Sequence, residues 1–554
     1  MSTSRRAAAP ARRPVGAALR WVGVGALLFA LTALWSLAAP PMASPDEPSH
    51  VVKAAAVARG QLSGTPNDVE QSVARPGVGT LVRLPSDFAD ALSLPNCFAF
   101  QQDVPADCQA DDLPPARGEV LVETFAGQYP PLYYALVGWP SLFLAAEPSI
   151  LAMRLVSALV GAALVTWGAY RLTTIRGNRA GLLGAAVATT PMCLFLMGTV
   201  NPAGLEIAAA FSFWAACLAL VARGGPVTTA ALVQAVVSGA LLVNSRASAP
   251  VWAVGIVVVA LVAAPRGRWR EIVRLRAVRW LAPVAVLTSA GAAAWVLAQG
   301  EVVTTSGLYP HYADRKVALL DVLGEGWTYL QNVIGNFGWL DAPAPPLTFV
   351  LWLVALGVLL PPAAGARGPL RPRVALGLAI AGVAAAPVVL QVPTMADTGL
   401  IWQGRYVLPF AVGVPVLAAL VLRVDATATG DATRRTARTT VLVLLVAHVA
   451  AFYWGSRRYA VGLQGELVTL TPPWSSPVGY LPGVALYALL AGALAAVLWH
   501  YYRPSTLSAA ALDAPPLDAP AASGAVAGGD PSEPTPRTAA HGDPVTAADG
   551  ARTA

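Results

Sequence analysis

From Trp21 to about residue 501 the chain repeats one pattern: a long apolar run, then a short polar or basic stretch. A run of about 17–25 apolar residues is long enough to cross a bilayer as a helix. Such runs fall at 21–39, 150–172, 180–200, 203–222, 228–243, 248–264, 279–298, 344–362, 373–391, 403–422, 439–456 and 481–501. The pattern predicts an all-α polytopic membrane protein with about twelve transmembrane helices. Between the first two runs lies a polar loop, 40–149, too long for a simple connector. Within it, 132–146 is apolar and aromatic but short for a span. It reads as a juxtamembrane helix lying in the interface, where Tyr and Trp prefer to sit.

Charge orients the spans. Residues 1–17 form a basic tail with Arg5, Arg6, Arg12 and Arg13, and Arg20 stands at the first helix entrance. A tail of this kind holds the N-terminus in the cytoplasm. A cleaved signal peptide is the competing reading, since Ser36-Leu37-Ala38 resembles a small-residue site. The apolar run exceeds the usual signal-peptide core, which favours a retained helix. If 132–146 does not span, Arg171, Arg176 and Arg179, Arg223, the cluster Arg266 to Arg279, Arg367 to Arg373 and Arg434 to Arg438 all fall inside. Counting 132–146 as a span would invert every later loop. The expected architecture is therefore a transmembrane domain over 18–501 with a large first extracytoplasmic loop and both termini cytoplasmic. The tail 502–554, rich in Ala, Pro, Gly and Asp without periodicity, reads as disordered.

Composition excludes a soluble globular protein: 56% of residues are hydrophobic and 12% charged, with a mean hydropathy of +0.58. The net charge of +7 comes from arginines in short loops, a topology signal rather than a nucleic-acid face. Cys97 and Cys108 share the first loop and could form a disulfide in an oxidising compartment, whereas Cys193 and Cys217 fall in apolar runs.

The candidate chemistry gathers at the outer ends of the spans. Pro45-Asp46-Glu47-Pro48-Ser49-His50 follows the first helix, with Lys53 just beyond. Read plainly, it is a helix-capping turn. Tyr129-Pro130-Pro131-Leu132-Tyr133-Tyr134 forms a second external segment. Asn201 opens another span, and Glu206 lies one turn inside it, where an acid is costly and marks a functional candidate. Gln403-Gly404-Arg405-Tyr406 opens a further helix, and a guanidinium fork there suits a phosphate. Arg246, His311 and Lys316 are additional external cations.

Taken in order with Asn201-Pro202-Ala203-Gly204, these segments resemble the GT-C superfamily of membrane glycosyltransferases. Within it the chain looks most like a bacterial, actinobacterial-type family of predicted polytopic membrane proteins of unknown function. The resemblance covers most of 18–501. It implies a GT-C-like fold in the plasma membrane and transfer of a sugar from a polyprenyl-phosphate donor to a cell-envelope glycan, lipid or protein acceptor outside. It assigns the catalytic carboxylate to Asp46, with Glu47 and His50 beside it. Substrate contacts would come from Lys53, Tyr129, Tyr133, Asn201, Glu206, Arg246, His311, Gln403, Arg405 and Tyr406. Some superfamily members bind a divalent metal cation, for which Asp46, Glu47 and His50 could supply ligands. Tyr129 and Ala203 depart from the His or Lys and the acid common at those places. A lipid-linked glycan flippase or transporter is the competing class, although no internal repeat is evident. A glycan polymerase is a third reading, for which Arg405, Arg457 and Arg458 would be the external arginines.

Overall fold

The computed structural model describes residues 15–67, 79–110, 112–223, 225–299, 307–424 and 431–502. The basic tail arginines and the tail from 503 onward lie outside the described residues.

Nine helices among the described residues are long and apolar enough to cross a membrane, from Ala18–Ala38 to Tyr480–Tyr501. Thr229–Val243 and Ala249–Ala263 are equally apolar but shorter. The run at 180–200, expected as one span, is instead two short helices, Gly181–Ala188 and Pro191–Met197. Pro191 cannot continue a helix from its N-terminal side, and the Thr190 hydroxyl caps the second piece by accepting from the Cys193 amide. The run at 403–422 is likewise segmented, into Gly404–Val407, Leu408–Ala411 and Gly413–Val424. Residues 132–146 contain a helix Leu132–Val137 and a 3₁₀ turn Trp139–Leu142, too short to cross. They expose Trp139, Leu142, Phe143 and Leu144, side chains suited to the headgroup level of a bilayer.

Burial separates the bundle's axis from its rim. Helix Pro202–Val221 has 94% of its apolar window buried, packed between Ala146–Thr173 and Thr229–Val243, whereas Val278–Ala298 has 6%. The first is the core helix. The second turns nearly its whole surface outward, toward lipid in a membrane.

The long first loop is a folded cap. Three antiparallel strands, Thr65–Pro66, Thr80–Pro85 and Glu119–Thr124, pair in sequence order, with Val82 opposite Val122. Against them packs helix Glu47–Ala58, whose Val51, Val52 and Ala54 to Ala56 are fully buried. Thr124 Oγ1 donates to Ser49 O at 2.7 Å, and Arg59 donates to Ser141 O at 2.7 Å, sewing helix, sheet and 3₁₀ turn together. The helix stops at Gly60 (φ 82°), where the Gln61 amide reaches back to Ala56 O at 3.0 Å, the closure a left-handed glycine permits. Cys97 and Cys108 are disulfide-bonded within the same cap.

Candidate functional site

The first span ends in Ala38-Ala39-Pro40-Pro41, and the chain then turns sharply enough to put two non-glycine residues, Met42 and Asp46, at positive φ (64° and 62°). Such a backbone costs energy and persists only where the surroundings demand it. Asp46 stands at the N-cap position of helix 47–58, yet its side chain makes no capping hydrogen bond. It points to the far end of the sequence instead: Arg405 Nη2 donates to Asp46 Oδ2 at 2.8 Å. The Asp46 side chain is 58% exposed, whereas Arg405 is 2% exposed. Arg405 Nε donates to Gln403 Oε1 at 2.5 Å, which aims the fork. Gly404 allows this, because a Cβ there would run into the Tyr329 carbonyl.

Glu47 faces the opposite way and is fully buried. Arg154, on the third turn of helix Ala146–Thr173, donates Nε to Glu47 Oε1 at 2.8 Å and Nη2 to Oε2 at 2.6 Å. The Val200 amide completes the carboxylate at 2.9 Å. The same guanidinium donates to Ser36 O, Ala39 O and Pro40 O at 2.8–3.0 Å. Those carbonyls belong to the end of the first span, where a helix leaves acceptors unpaired. One arginine therefore ties its own helix and the end of the first span to Glu47, and both oxygens of Glu47 are occupied.

A second arm converges on Asp46. His50 follows one turn after it, its amide donating to Asp46 O at 3.1 Å, and its Nδ1 lies 2.9 Å from the Tyr134 hydroxyl. Its ring meets Tyr129 edge-on at 5.5 Å. Arg246, in the turn between Thr229–Val243 and Ala249–Ala263, lies over the rings of Tyr406 (4.9 Å) and Tyr129 (5.8 Å). Its Nη1 stands 3.8 Å from Glu206 Oε2, an ion pair at the limit of contact, while Glu206 Oε1 is buried without a hydrogen-bond partner. Asn201 caps helix Pro202–Val221 through Ala203 N (2.9 Å) and donates to Pro45 O (3.0 Å), fixing this arm to the acidic turn.

The electrostatics follow from the packing. The protein mass around Asp46 pushes its carboxyl up, but Arg405, then His50 and Arg246, outweigh that and hold it below 3.8. Burial drives His50 down to about 3; Asp46 opposes the shift, and Arg246 and Arg405 reinforce it. Near neutral pH the pocket thus presents an ionised Asp46 and a neutral imidazole. Burial lowers Lys53 to about 8.

The remaining sequence candidates divide cleanly. Tyr133 is buried, with its hydroxyl 3.2 Å from Ser157 Oγ. Lys53 is buried and donates to the Leu62 and Gly127 carbonyls, with Tyr134 and Trp295 each 5.9 Å from its nitrogen. His311 is exposed and packs on Tyr312 (3.9 Å) and Tyr309, with no contact to the Asp46 cluster among the described residues. Arg458 is buried and donates to Phe98 O, Val104 O and Asp341 Oδ2, while Arg457 donates to the Leu463, Gly465 and Glu466 carbonyls. Both arginines brace loops. Among the described residues no three His, Cys, Asp or Glu side chains gather as a metal site. With Glu47 occupied by Arg154 and Val200 N, the Asp46-Glu47-His50 set does not fit a divalent cation.

Arg154 is the site residue with no place in the sequence reading, and Tyr134 enters that reading only as part of the segment Tyr129 to Tyr134. The signal for Arg154 was present: an arginine one turn into the apolar run 150–172, where a charge seeks a partner in the bundle.

Residues 29–414 match the family described as predicted membrane protein (DUF2142). The chain belongs to that family. The match takes in the acidic turn, Tyr129, Asn201, Glu206, Arg246 and Arg405, so the whole cluster lies within the DUF2142 region. No curated protein matches the chain. Among solved structures it is similar to ArnT from Cupriavidus metallidurans bound to undecaprenyl phosphate, at 15% identity and a TM-score of 0.42, covering 88% of this chain and 78% of that one. The apo state of the same protein matches at 15% identity and a TM-score of 0.40 over the same shares. That likeness is too loose to bear on what the DUF2142 chain does.

Proposed function

We propose that this DUF2142 protein is a membrane glycosyltransferase that moves a sugar from a polyprenyl-phosphate donor to a hydroxyl of a cell-envelope acceptor on the extracytoplasmic side. The observation that carries the reading is the Asp46–Arg405 pair: an exposed, ionised carboxylate on strained backbone, 2.8 Å from a phosphate-competent guanidinium. The order of the external motifs, which resembles the GT-C superfamily, supports the same class, and the arginine-rich loops support an extracytoplasmic position for this end of the bundle.

In this mechanism Asp46 takes the proton of the acceptor hydroxyl as its oxygen bonds to the anomeric carbon. The bond from that carbon to the phosphate oxygen breaks, and its electron pair leaves with the lipid phosphate. Arg405, backed by Arg246, offsets the charge that develops there. Neutral His50 orients the acceptor hydroxyl, and Tyr129 and Tyr406 offer ring faces for the sugar. Lys53, Glu47 and Tyr133 hold the frame. No free external arginine pair of the kind a glycan polymerase calls for is found at Arg457 and Arg458, which brace loops.

The test is a deletion strain complemented with wild type or with Asp46→Asn, comparing envelope glycans and lipid-linked sugars. Wild type should restore a missing glycosyl residue, and the variant, expressed equally, should not. Loss of a general base is worth about 10²–10⁴ in rate. Full complementation by Asp46→Asn would rule out the base, and lipid-linked glycan collecting on the inner leaflet of the deletion strain would favour a flippase.

A further inference from the structure

The two adjacent acids are paired with two arginines in opposite ways. At Glu47 the pair is closed: acid and guanidinium are 0% and 2% exposed, and all five Arg154 donations are made. At Asp46 the pair is half made. Among the described residues Arg405 donates only to Gln403 and Asp46, and one Asp46 oxygen has no protein donor. The acid is 58% exposed and its backbone sits at φ 62°. A tie built for stability would look like the first. The second has the features of a contact that is meant to be exchanged.

Charge gives the same answer. The cluster at the acidic turn holds two carboxylates, Asp46 and Glu206, near two guanidiniums, Arg405 and Arg246, with His50 and Tyr134 beside them. A phosphate that reaches Arg405 meets a guanidinium already paired with a carboxylate. It has to displace a carboxylate from an arginine, and Arg405 is the arginine whose fork is only partly used.

We propose that the donor's phosphate takes Arg405 from Asp46, so that the resting ion pair is a latch and Asp46 becomes a base only when donor is bound. The inference rests on the glycosyltransferase reading and adds its regulation. The donor's phosphate is a diester with one negative charge, like the carboxylate, but its two non-bridging oxygens can engage the fork through two nitrogens where Asp46 uses one, and the bound lipid and sugar add their own binding energy, so it wins the competition. Once released, Asp46 loses its strongest opposing cation and becomes more basic, as the Coulomb attraction of Arg405 is what most lowers it. Gln403 keeps the guanidinium aimed through the exchange, donating nothing to the phosphate itself.

The latch makes an unusual demand: removing the catalytic carboxylate should tighten phosphate binding. Binding of polyprenyl phosphate is measured for the full chain in phosphatidylcholine nanodiscs, with inorganic phosphate as a second probe. Asp46→Asn and Asp46→Ala, each checked for an unchanged melting profile, should bind polyprenyl phosphate about three- to tenfold tighter than wild type, the release of one partly exposed charged hydrogen bond. Arg405→Gln should bind weakly, and adding Asp46→Asn to it should bring no tightening. Equal tightening toward inorganic phosphate also supports the exchange and assigns it to the phosphate alone. If Arg405→Gln weakens binding but the Asp46 variants match wild type or bind less, the latch is wrong and the phosphate role of Arg405 stands. If wild type binds neither probe, or Arg405→Gln binds as wild type does, the phosphate role falls and the latch with it.

Discussion

Replacing Arg154 by Met tests whether one guanidinium holds the acidic turn in place. The side chain is 2% exposed and makes five donations: two to Glu47, and one each to Ser36 O, Ala39 O and Pro40 O. Removing one partner of a buried ion pair costs about 3–5 kcal/mol, because the other charge stays buried without compensation. The orphaned carbonyls would add about 1 kcal/mol or more each wherever water cannot reach them. Arg154→Met should therefore lose at least about 4 kcal/mol in equilibrium unfolding, enough to consume much of an ordinary protein's stability. Glu47→Gln keeps the shape but leaves the Arg154 charge buried without its counter-ion and turns an amide NH2 toward one of the donors, so it should also cost about 3–5 kcal/mol. The double variant, Arg154→Met with Glu47→Leu, removes the stranded charge but not the stranded carbonyls, so it should recover only part of the loss. The assay is reversible unfolding of the full chain in mixed micelles, run as a double-mutant cycle. An Arg154→Met protein within about 1 kcal/mol of wild type would refute the reasoning, as would a coupling between the two positions near zero.

Two further outcomes follow from the same geometry. His50 has its folded-state pKa lowered to about 3 from 6.5, so it binds a proton more readily unfolded than folded. Its contribution is present above about pH 6.5 and is lost as pH falls toward 3; the wild-type melting temperature should drop across that window, and His50→Gln should flatten the drop. A wild-type curve parallel to that of the variant would contradict a neutral, buried imidazole. Gly404→Ala places a methyl group against the Tyr329 carbonyl and should shift the Gln403–Arg405 fork. Activity should fall at least tenfold while the melting temperature moves only a few degrees, whereas equal losses in both would make Gly404 a packing residue and no more.

Much of this protein was legible along the chain, because the bilayer imposes a simple rule. Every backbone polar group in a span must be satisfied within the helix, so apolar runs announce spans whatever their neighbours are. The runs at 203–222 and 481–501 match helices Pro202–Val221 and Tyr480–Tyr501 almost to the residue. The reading failed where composition and backbone geometry part company: 180–200 is apolar throughout, yet Pro191 with a Thr190 cap divides it into two helices.

The cluster around Asp46 was legible only as a set of names. Asp46, at left-handed φ before the helix, and Glu47, its first residue, had equal claims on chemistry until the fold sent one outward to Arg405 and the other inward to Arg154. The partners lie 359 and 107 residues away in sequence, beyond any local pattern. The same holds for Arg246 over Tyr406 and for His50 against Tyr134. The sequence by itself determined how many apolar segments there are and which end of each carries the polar residues. Only tertiary packing decided which acid meets which arginine, because that depends on how helices are rotated and brought together, and hydrophobic periodicity says nothing about a partner on another helix.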